Sequence, residues 1–378
     1  MYYKSLLAVA ITLAATQSGI AQASVAEALE DGKMLADFRL RYETNDTDGG
    51  TKAAEAITLR SRLGYESGVY NGFKVLIENE MVHAFQDEYA ALTPGFDPVA
   101  DPTGNEINRA QISYAKDDFA AVVGRQRIIL DNARFVGNVG WRQNEQTYDA
   151  VKLDYKTGDL SLTYAYLDQV NGILFQEVDV TDHLLNVSYK VSDAVKLTGF
   201  GYFLKNDDTD AKDDTIGASI NGKASSIMYS ATYASQSTDN NDATYMALEL
   251  GTAISAAKVF VGHEILGSDD GAYGFQTSLA TKHAFNGWAD KFLSKTPASG
   301  LTDTYLKAVG MFKGYKLLGM YHEFGADDGG ADLGSELDLL VAKKVGKTTS
   351  VGIKSAMYSK GDTGADTDKL WIWAETKF

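Results

Sequence analysis

Apolar and polar side chains alternate with a period of two through most of this chain, in separate runs of about ten residues. In 37–43, Phe38, Leu40 and Tyr42 stand against Arg39, Arg41 and Glu43; in 58–66, Leu59, Ser61, Leu63 and Tyr65 stand against Arg60, Arg62 and Glu66. In 160–168, Leu160, Leu162, Tyr164 and Tyr166 oppose Ser161, Thr163 and Ala165. A period of two puts successive side chains on opposite faces of a strand. The pattern predicts eighteen strands: 33–44, 54–67, 72–83, 106–116, 118–128, 147–157, 160–168, 180–191, 195–205, 212–221, 224–236, 242–254, 257–266, 301–312, 315–324, 333–345, 348–359 and 367–378. The runs 195–205 and 315–324 alternate less cleanly.

The connections carry a second pattern. Short ones fall at 68–71, 117, 158–159, 192–194, 222–223, 255–256, 313–314 and 346–347. Between them lie longer polar ones at 45–53, 84–105, 129–146, 169–179, 206–211, 237–241, 267–300, 325–332 and 360–366. Short and long alternate along the whole chain, as in an up-and-down meander with its long loops at one end. Bacterial outer-membrane barrels have short periplasmic turns, long outer loops and an even strand number. The 21 tyrosines and only 4 prolines suit a long sheet. A secreted soluble β protein is the alternative, but one open sheet of this size would leave edges or split. The predicted fold class is all-β: a transmembrane antiparallel up-and-down barrel of 18 strands.

Residues 1–23, MYYKSLLAVAITLAATQSGIAQA, combine Lys4, an apolar run over 6–15 and the small-x-small site Ala21-Gln22-Ala23. These are the parts of a secretory signal peptide. The expected division is a cleaved signal over 1–23 and the barrel over 24–378, in the bacterial outer membrane. The chain ends LWIWAETKF, with Leu370, Ile372, Ala374, Thr376 and Phe378 on one face. That ending resembles the signal by which the barrel assembly machinery recognises its substrates, through a terminal aromatic such as Phe378. The absence of cysteine rules out disulfides and thiolate metal sites. A net charge of −16 argues against nucleic acid as a partner.

In a barrel through lipid, Arg or Lys at the midplane of the lipid face costs roughly 2–4 kcal/mol. Arg39, Arg41, Arg60 and Arg62 are therefore expected to face the lumen, with Phe38, Leu40, Leu59 and Leu63 toward lipid. The chain has nine arginines: these four and Arg109, Arg125, Arg127, Arg134 and Arg142, all before residue 143. One wall of the lumen should carry nearly all the guanidinium, a track for anions of the kind found in anion-selective pores. Glu43, Glu66, Glu78 and Glu80 on neighbouring strands offer a structural alternative, in which ion pairs brace the wall. Arg109, Arg125 and Arg127 have fewer acidic partners in their own strands, which favours the anion reading.

Two long loops stand out. The stretch 129–146 carries Arg134, Phe135, Trp141 and Arg142, and either folds into the lumen as a constriction or packs on its neighbours as a cap. The stretch 267–300, with Phe285, Trp288 and Phe292, is expected to be a folded cap or an inward plug. Aspartate clusters at 207–214, 239–242, 269–270, 327–332 and 362–368 form an acidic outer rim. None has the order of ligands of an EF-hand. No cofactor is expected; divalent cations bridging this rim to lipopolysaccharide and other anionic lipid headgroups are the one metal role it suggests.

The stretches ALEDGKMLADFRLRYE (28–43), AITLRSRLGYES (56–67), VVGRQRIILDNARFVGNVGWRQNEQTYDAVKL (122–153) and LATKHAFNGWADKF (279–292) resemble the alginate-export family of outer-membrane proteins. The third is the most specific, with GRQ, WRQ and YDAV in order. The resemblance implies an eighteen-stranded barrel and passage of an anionic polysaccharide through an arginine-lined lumen. It carries Arg39, Arg41, Arg60, Arg62, Arg125 and Arg127 over as lumen residues.

The first functional expectation is a porin passing anionic or polar solutes, with a dedicated exporter of a polyanion such as alginate as its close variant. An outer-membrane hydrolase is the remote alternative, because His83, His183, His263, His283 and His322 are scattered and none lies in a nucleophile motif. A structural or adhesive barrel with a closed lumen is the third.

Overall fold

Each predicted run becomes a strand. The structure, a computed structural model, describes residues 24–378; the predicted signal peptide lies outside the described residues. A six-residue helix, α1 (Val25–Glu30), opens the described chain, capped by Ser24 and Glu27. The strands follow as β1 (Lys33–Thr47), β2 (Ala54–Glu66), β3 (Phe73–Glu88), β4 (Gly104–Lys116), β5 (Phe119–Gln126), β6 (Thr147–Thr157), β7 (Leu160–Asn171), β8 (Glu177–Ser192), β9 (Val195–Lys205) and β10 (Lys212–Ala224). Then come β11 (Ile227–Thr238), β12 (Asp242–Ile254), β13 (Ala257–Leu266), the two-residue strands β14 (Ser268–Asp269) and β15 (Tyr273–Gly274), and β16 (Leu301–Phe312). The last four are β17 (Tyr315–Gly325), β18 (Asp332–Val345), β19 (Thr349–Ser359) and β20 (Thr367–Lys377).

β14 and β15 form a small hairpin of their own. The other eighteen make one sheet in which every strand pairs antiparallel with its sequence neighbour, and β20 returns to β1 with Leu40 opposite Ala374. Closure removes the two edges that an open sheet of this size would expose.

Both barrel termini lie at the short-turn end, which is the periplasmic end in barrels of this type. Lys33 pairs with Glu66, and Lys377 with Asp37. The turn at Lys313-Gly314 has φ of 48° and 80°. Two positive φ values are the mark of the two-residue hairpin that matches strand twist. The turn expected at 222–223 falls instead at 225–226, and Gly222 pairs with Tyr229 inside the β10–β11 ladder. A Cβ at Gly222 would lie 1.8 Å from the Ala194 carbonyl, so this glycine serves close approach rather than a turn. Several strands run past their predicted ends, β3 to Glu88 and β7 to Asn171. Backbone pairing continues there above the apolar belt, where alternation no longer marks it.

The alternation sorts the two faces. Leu40, Leu63, Ile77, Val261, Leu306, Leu339, Ile353 and Ile372 are exposed on the outside. Arg39, Arg41, Arg60 and Arg62 are buried in the interior, with Glu43, Glu78 and Glu80. The lumen is not open water at every level. A first inward loop, 127–146, and a second, 267–300, enter it and pack together with the wall around Val136, Phe275, Leu279 and Trp288. The 129–146 stretch is thus an inward element and not a surface cap.

Candidate functional site

The nine arginines are placed by two devices: strand alternation turns Arg39, Arg41, Arg60, Arg62 and Arg109 inward, and the first inward loop brings in Arg127, Arg134 and Arg142. Arg125, expected in the lumen, is corrected: it pairs with Ala110, which pairs with the exposed Ile77, so the β5 alternation sets it on the outer face while Gln126 beside it points in. Each of the nine has acceptors. Arg60 bonds Asp37 at 2.6 Å and Glu375 at 2.7 Å. Arg62 bonds Glu80 and lies 3.3 Å from Glu145. Arg41 bonds Asp101, lies 3.2 Å from Glu43, and donates to the Trp141 carbonyl at 2.6 Å. Arg39 differs, since its donors go to Gln143 Oε1 (2.9 Å) and to the carbonyls of Gly140 and Arg142. It holds the first inward loop by its backbone.

The inference drawn from Arg109, Arg125 and Arg127 having fewer acidic partners in their own strands, that they stand less compensated, is corrected. Arg109 grips Glu78 with bonds of 2.9 and 2.7 Å, and Arg125 grips Asp149 with bonds of 2.7 and 3.0 Å. Arg127 bonds Glu145 at 2.6 Å and Glu78 at 3.3 Å. The partners come from adjacent strands and from the loop, which a scan of each arginine's own strand does not see.

The loop residues tie the two inward segments to distant walls. Arg134 bonds Glu264 on β13 at 2.8 and 3.1 Å and Asn286 at 2.8 Å. Arg142 bonds Glu43 on β1 and, at 3.1 Å, Asp290 on the second loop. Burial pushes the Asp290 carboxyl up, but His283, Lys369 and Arg142 outweigh it and hold the group well below the usual carboxylate range. Burial likewise opposes the charge on Arg142, and Glu43, Asp101 and Asp290 override it and raise the guanidinium. Trp141 stacks on His283, with centroids 5.3 Å apart and planes 5° apart. Trp288 and Ala289 donate their backbone N–H groups to Asp338 and Glu336 on β18.

Sequence reasoning missed several residues of this centre. His283 is buried, and desolvation pushes its imidazole down to about 3. The neutral ring donates from Nδ1 to Asp290 (2.6 Å) and accepts at Nε2 from Lys354 Nζ (2.7 Å). Lys354 in turn lies over Trp288 at 3.7 Å and Trp141 at 4.3 Å. Trp371 and Trp373 close on Trp141 from the β20 side, so all four tryptophans of the chain meet here. A signal was present in the alternation of β19, which turns Lys354 inward. Glu145 and Asp101 had no such signal, because they lie in loops. Burial pushes the Glu145 carboxyl up, but Arg62 and Arg127 hold it down at about 2. His83, His183 and His263 face outward, and His322 is buried against Asp303 at 2.8 Å. Among the described residues, no group of three or more His, Asp or Glu is arranged to hold a metal ion.

Two recesses flank the inward loops. The inner one, of about 500 Å³, opens at the short-turn end and is lined by Arg60, Arg62, Arg109, Arg127, Glu145 and Glu375, among others. The outer one, of about 380 Å³, lies toward the long loops between β7–β10 and the loop residues Gln146 and Leu279. In the inner recess the charges are layered. The side chains of Arg127 and Arg109 are 28% and 16% exposed, while their partners Glu145 and Glu78 are 1% and 5% exposed. On the Arg109–Arg127 side the surface offered to a solute is guanidinium backed by buried carboxylates; on the β1–β20 side the order reverses, with Asp37 and Glu375 16% and 18% exposed over a buried Arg60.

No family model matches the chain, and no curated protein matches it. The alginate-export resemblance therefore gains no support from these comparisons. Solved structures do match. Acinetobacter baumannii OccAB4 superposes with a TM-score of 0.72 at 13% identity, over 92% of this chain and 98% of that one. Pseudomonas aeruginosa OccK3 (OpdO) gives 0.71 at 14%, over 94% and 97%. Pseudomonas aeruginosa OpdK, solved with vanillate, gives 0.71 at 12%, over 93% and 99%. At these identities the likeness is one of fold. A closed 18-strand barrel with an apolar outer belt and a polar, loop-filled interior is an outer-membrane architecture, and the bacterial outer membrane is where this chain belongs.

Proposed function

We propose that the protein is a porin-type channel for small anionic or polar solutes, which meet the guanidinium groups of Arg127 and Arg109 in the inner recess. The observation that carries this reading is the layering of charge on one side of that recess: Arg127 and Arg109 exposed, their partners Glu145 and Glu78 buried. Guanidinium presents a planar fork suited to a carboxylate, and rings of such groups favour anions in pores. The fold neighbour OpdK was solved with vanillate, an aromatic carboxylate, which suits the same class of solute. Chemistry on a solute is not part of the proposal, since His283 stands between Asp290 and Lys354 rather than beside a hydroxyl nucleophile.

Export of a polyanionic chain such as alginate is the finer reading that the sequence resemblance suggested. It requires both inward loops to leave the lumen, against the Arg142 and Arg134 ion pairs, so small solutes are the reading we favour. The test is reversal potential in planar bilayers under a salt gradient. Anion preference that falls when Arg109 and Arg127 are both changed to Ala supports the proposal; a cation-selective or non-conducting native barrel refutes it.

A further inference from the structure

The first inward loop meets the wall in two different ways. Toward β1, β13 and β20 it is locked by ion pairs and stacked rings. Toward β4–β7 the contact is a seam of Asn and Thr side chains beside the carboxylates of Glu145 and Glu106. Asn108 donates to Glu145 at 2.7 Å and Asn144 to the Gly172 carbonyl at 3.2 Å; in the wall beside them Asn171 on β7 donates to the Thr147 carbonyl on β6 at 3.4 Å. All four of these Asn and Thr side chains are fully buried. Yet Asn108 Oδ1, Asn144 Oδ1, Thr147 Oγ1 and Asn171 Oδ1 have no hydrogen-bond partner. Unpaired buried atoms elsewhere are Arg, Trp or His nitrogens, Thr198 Oγ1, or belong to the Glu336–Asp338–His322 group, while Glu106 Oε1, on β4 two residues from Asn108, adds a carboxylate oxygen to the seam. The seam is different: its unmet needs are all oxygens, set side by side.

Its position gives this meaning. Glu145, bonded to Asn108, lines the inner recess. Gln146 and Gly172, beside Asn144 and Asn171, line the outer one. The seam is what separates the two. A buried oxygen without a donor bears the full penalty of lost hydration, so this contact parts more readily than the ion-paired side and rewards any donor that enters it.

We infer that solutes cross between the first inward loop and the β4–β7 wall, along this seam, and that its oxygens select carboxylates that also carry hydrogen-bond donors. The inference rests on the channel reading above. Arg127 and Arg109 hold the carboxylate at the inner mouth, while the amide and hydroxyl oxygens accept from hydroxyl or ammonium groups of the same solute.

The chain has no cysteine, so one substitution introduces a unique thiol. In planar bilayers, an anionic methanethiosulfonate reagent should block most of the current through Asn144→Cys and Asn171→Cys. It should leave the current through Ala356→Cys, buried on the opposite wall, unchanged. In liposome swelling with the unsubstituted protein, lactate should enter faster than propionate by about fivefold, the worth of one net hydrogen bond. Current through Asn144→Cys and Asn171→Cys that resists the reagent, or equal rates for the two acids, overturns the inference. An unsubstituted protein that passes no current overturns the channel reading itself.

Discussion

Arg142 and Glu43, 99 residues apart in the chain, meet inside the barrel through bonds of 2.9 and 3.1 Å. Both side chains are almost fully buried. Removing one partner of such a pair costs roughly 3–5 kcal/mol, because the other is left charged and uncompensated. Arg142→Ala should release the first inward loop from β1. The expected outcome is a larger single-channel conductance with weaker ion discrimination, and partial recovery in Arg142→Ala/Glu43→Gln, where the stranded charge is also removed. Single-channel recording of the three proteins checks this.

Arg60 and Arg127 should respond differently to the same change. The Arg60 side chain is 1% exposed and bridges Asp37 to Glu375 across β1, β2 and β20. Arg60→Ala leaves Asp37 and Glu375 with only the exposed Lys377, and Arg62 at 3.9 Å from Asp37, and should lower the urea midpoint of unfolding. Arg127→Ala removes a partly exposed guanidinium and should shift the reversal potential toward cations with a smaller effect on unfolding. A selectivity change confined to Arg60→Ala would contradict the layering of charge in the inner recess.

The docking of the first loop should depend on acid. Glu145 titrates in the folded protein at about 2, against an ordinary value of about 4.3 for an unfolded glutamate. A carboxyl whose folded pKa is depressed stabilises the docked state above the unfolded value and loses that contribution as pH falls toward the folded one. Conductance should therefore become unstable between about pH 4 and 2. Glu145→Gln should remove that step while already weakening the hold of Arg62 and Arg127.

His283 should not titrate in the physiological range. Burial places its pKa at about 3, below the ordinary value of about 6.5. The folded state favours the neutral ring, so its contribution to docking is fully present above the unfolded value and declines as pH falls toward 3. Its imidazole NMR signals should stay constant from pH 8 to 5; a midpoint near the ordinary value would show that the ring is not enclosed by Trp141 and Asp290.

The lipid face has its own test. Leu306 is 56% exposed on β16. Leu306→Arg should destabilise the barrel in lipid vesicles by roughly 2–4 kcal/mol if it lies at the midplane, and less nearer a rim. The same change in detergent micelles, which deform around a charge, should cost less.

Alternation alone was enough to count the barrel strands and to put Arg39, Arg41, Arg60 and Arg62 on the face opposite Leu40 and Leu63. Each of these depends on side chains two residues apart sharing a face, which is a local property of the chain. Only the closed barrel decided who meets whom. Arg134 finds Glu264 across 130 residues and Arg142 finds Glu43 across 99, because curvature brings opposite walls within reach of a loop. Charge compensation in the lumen is a matter of distance in space, so reading Arg109 or Arg127 within its own strand left its carboxylates out of sight.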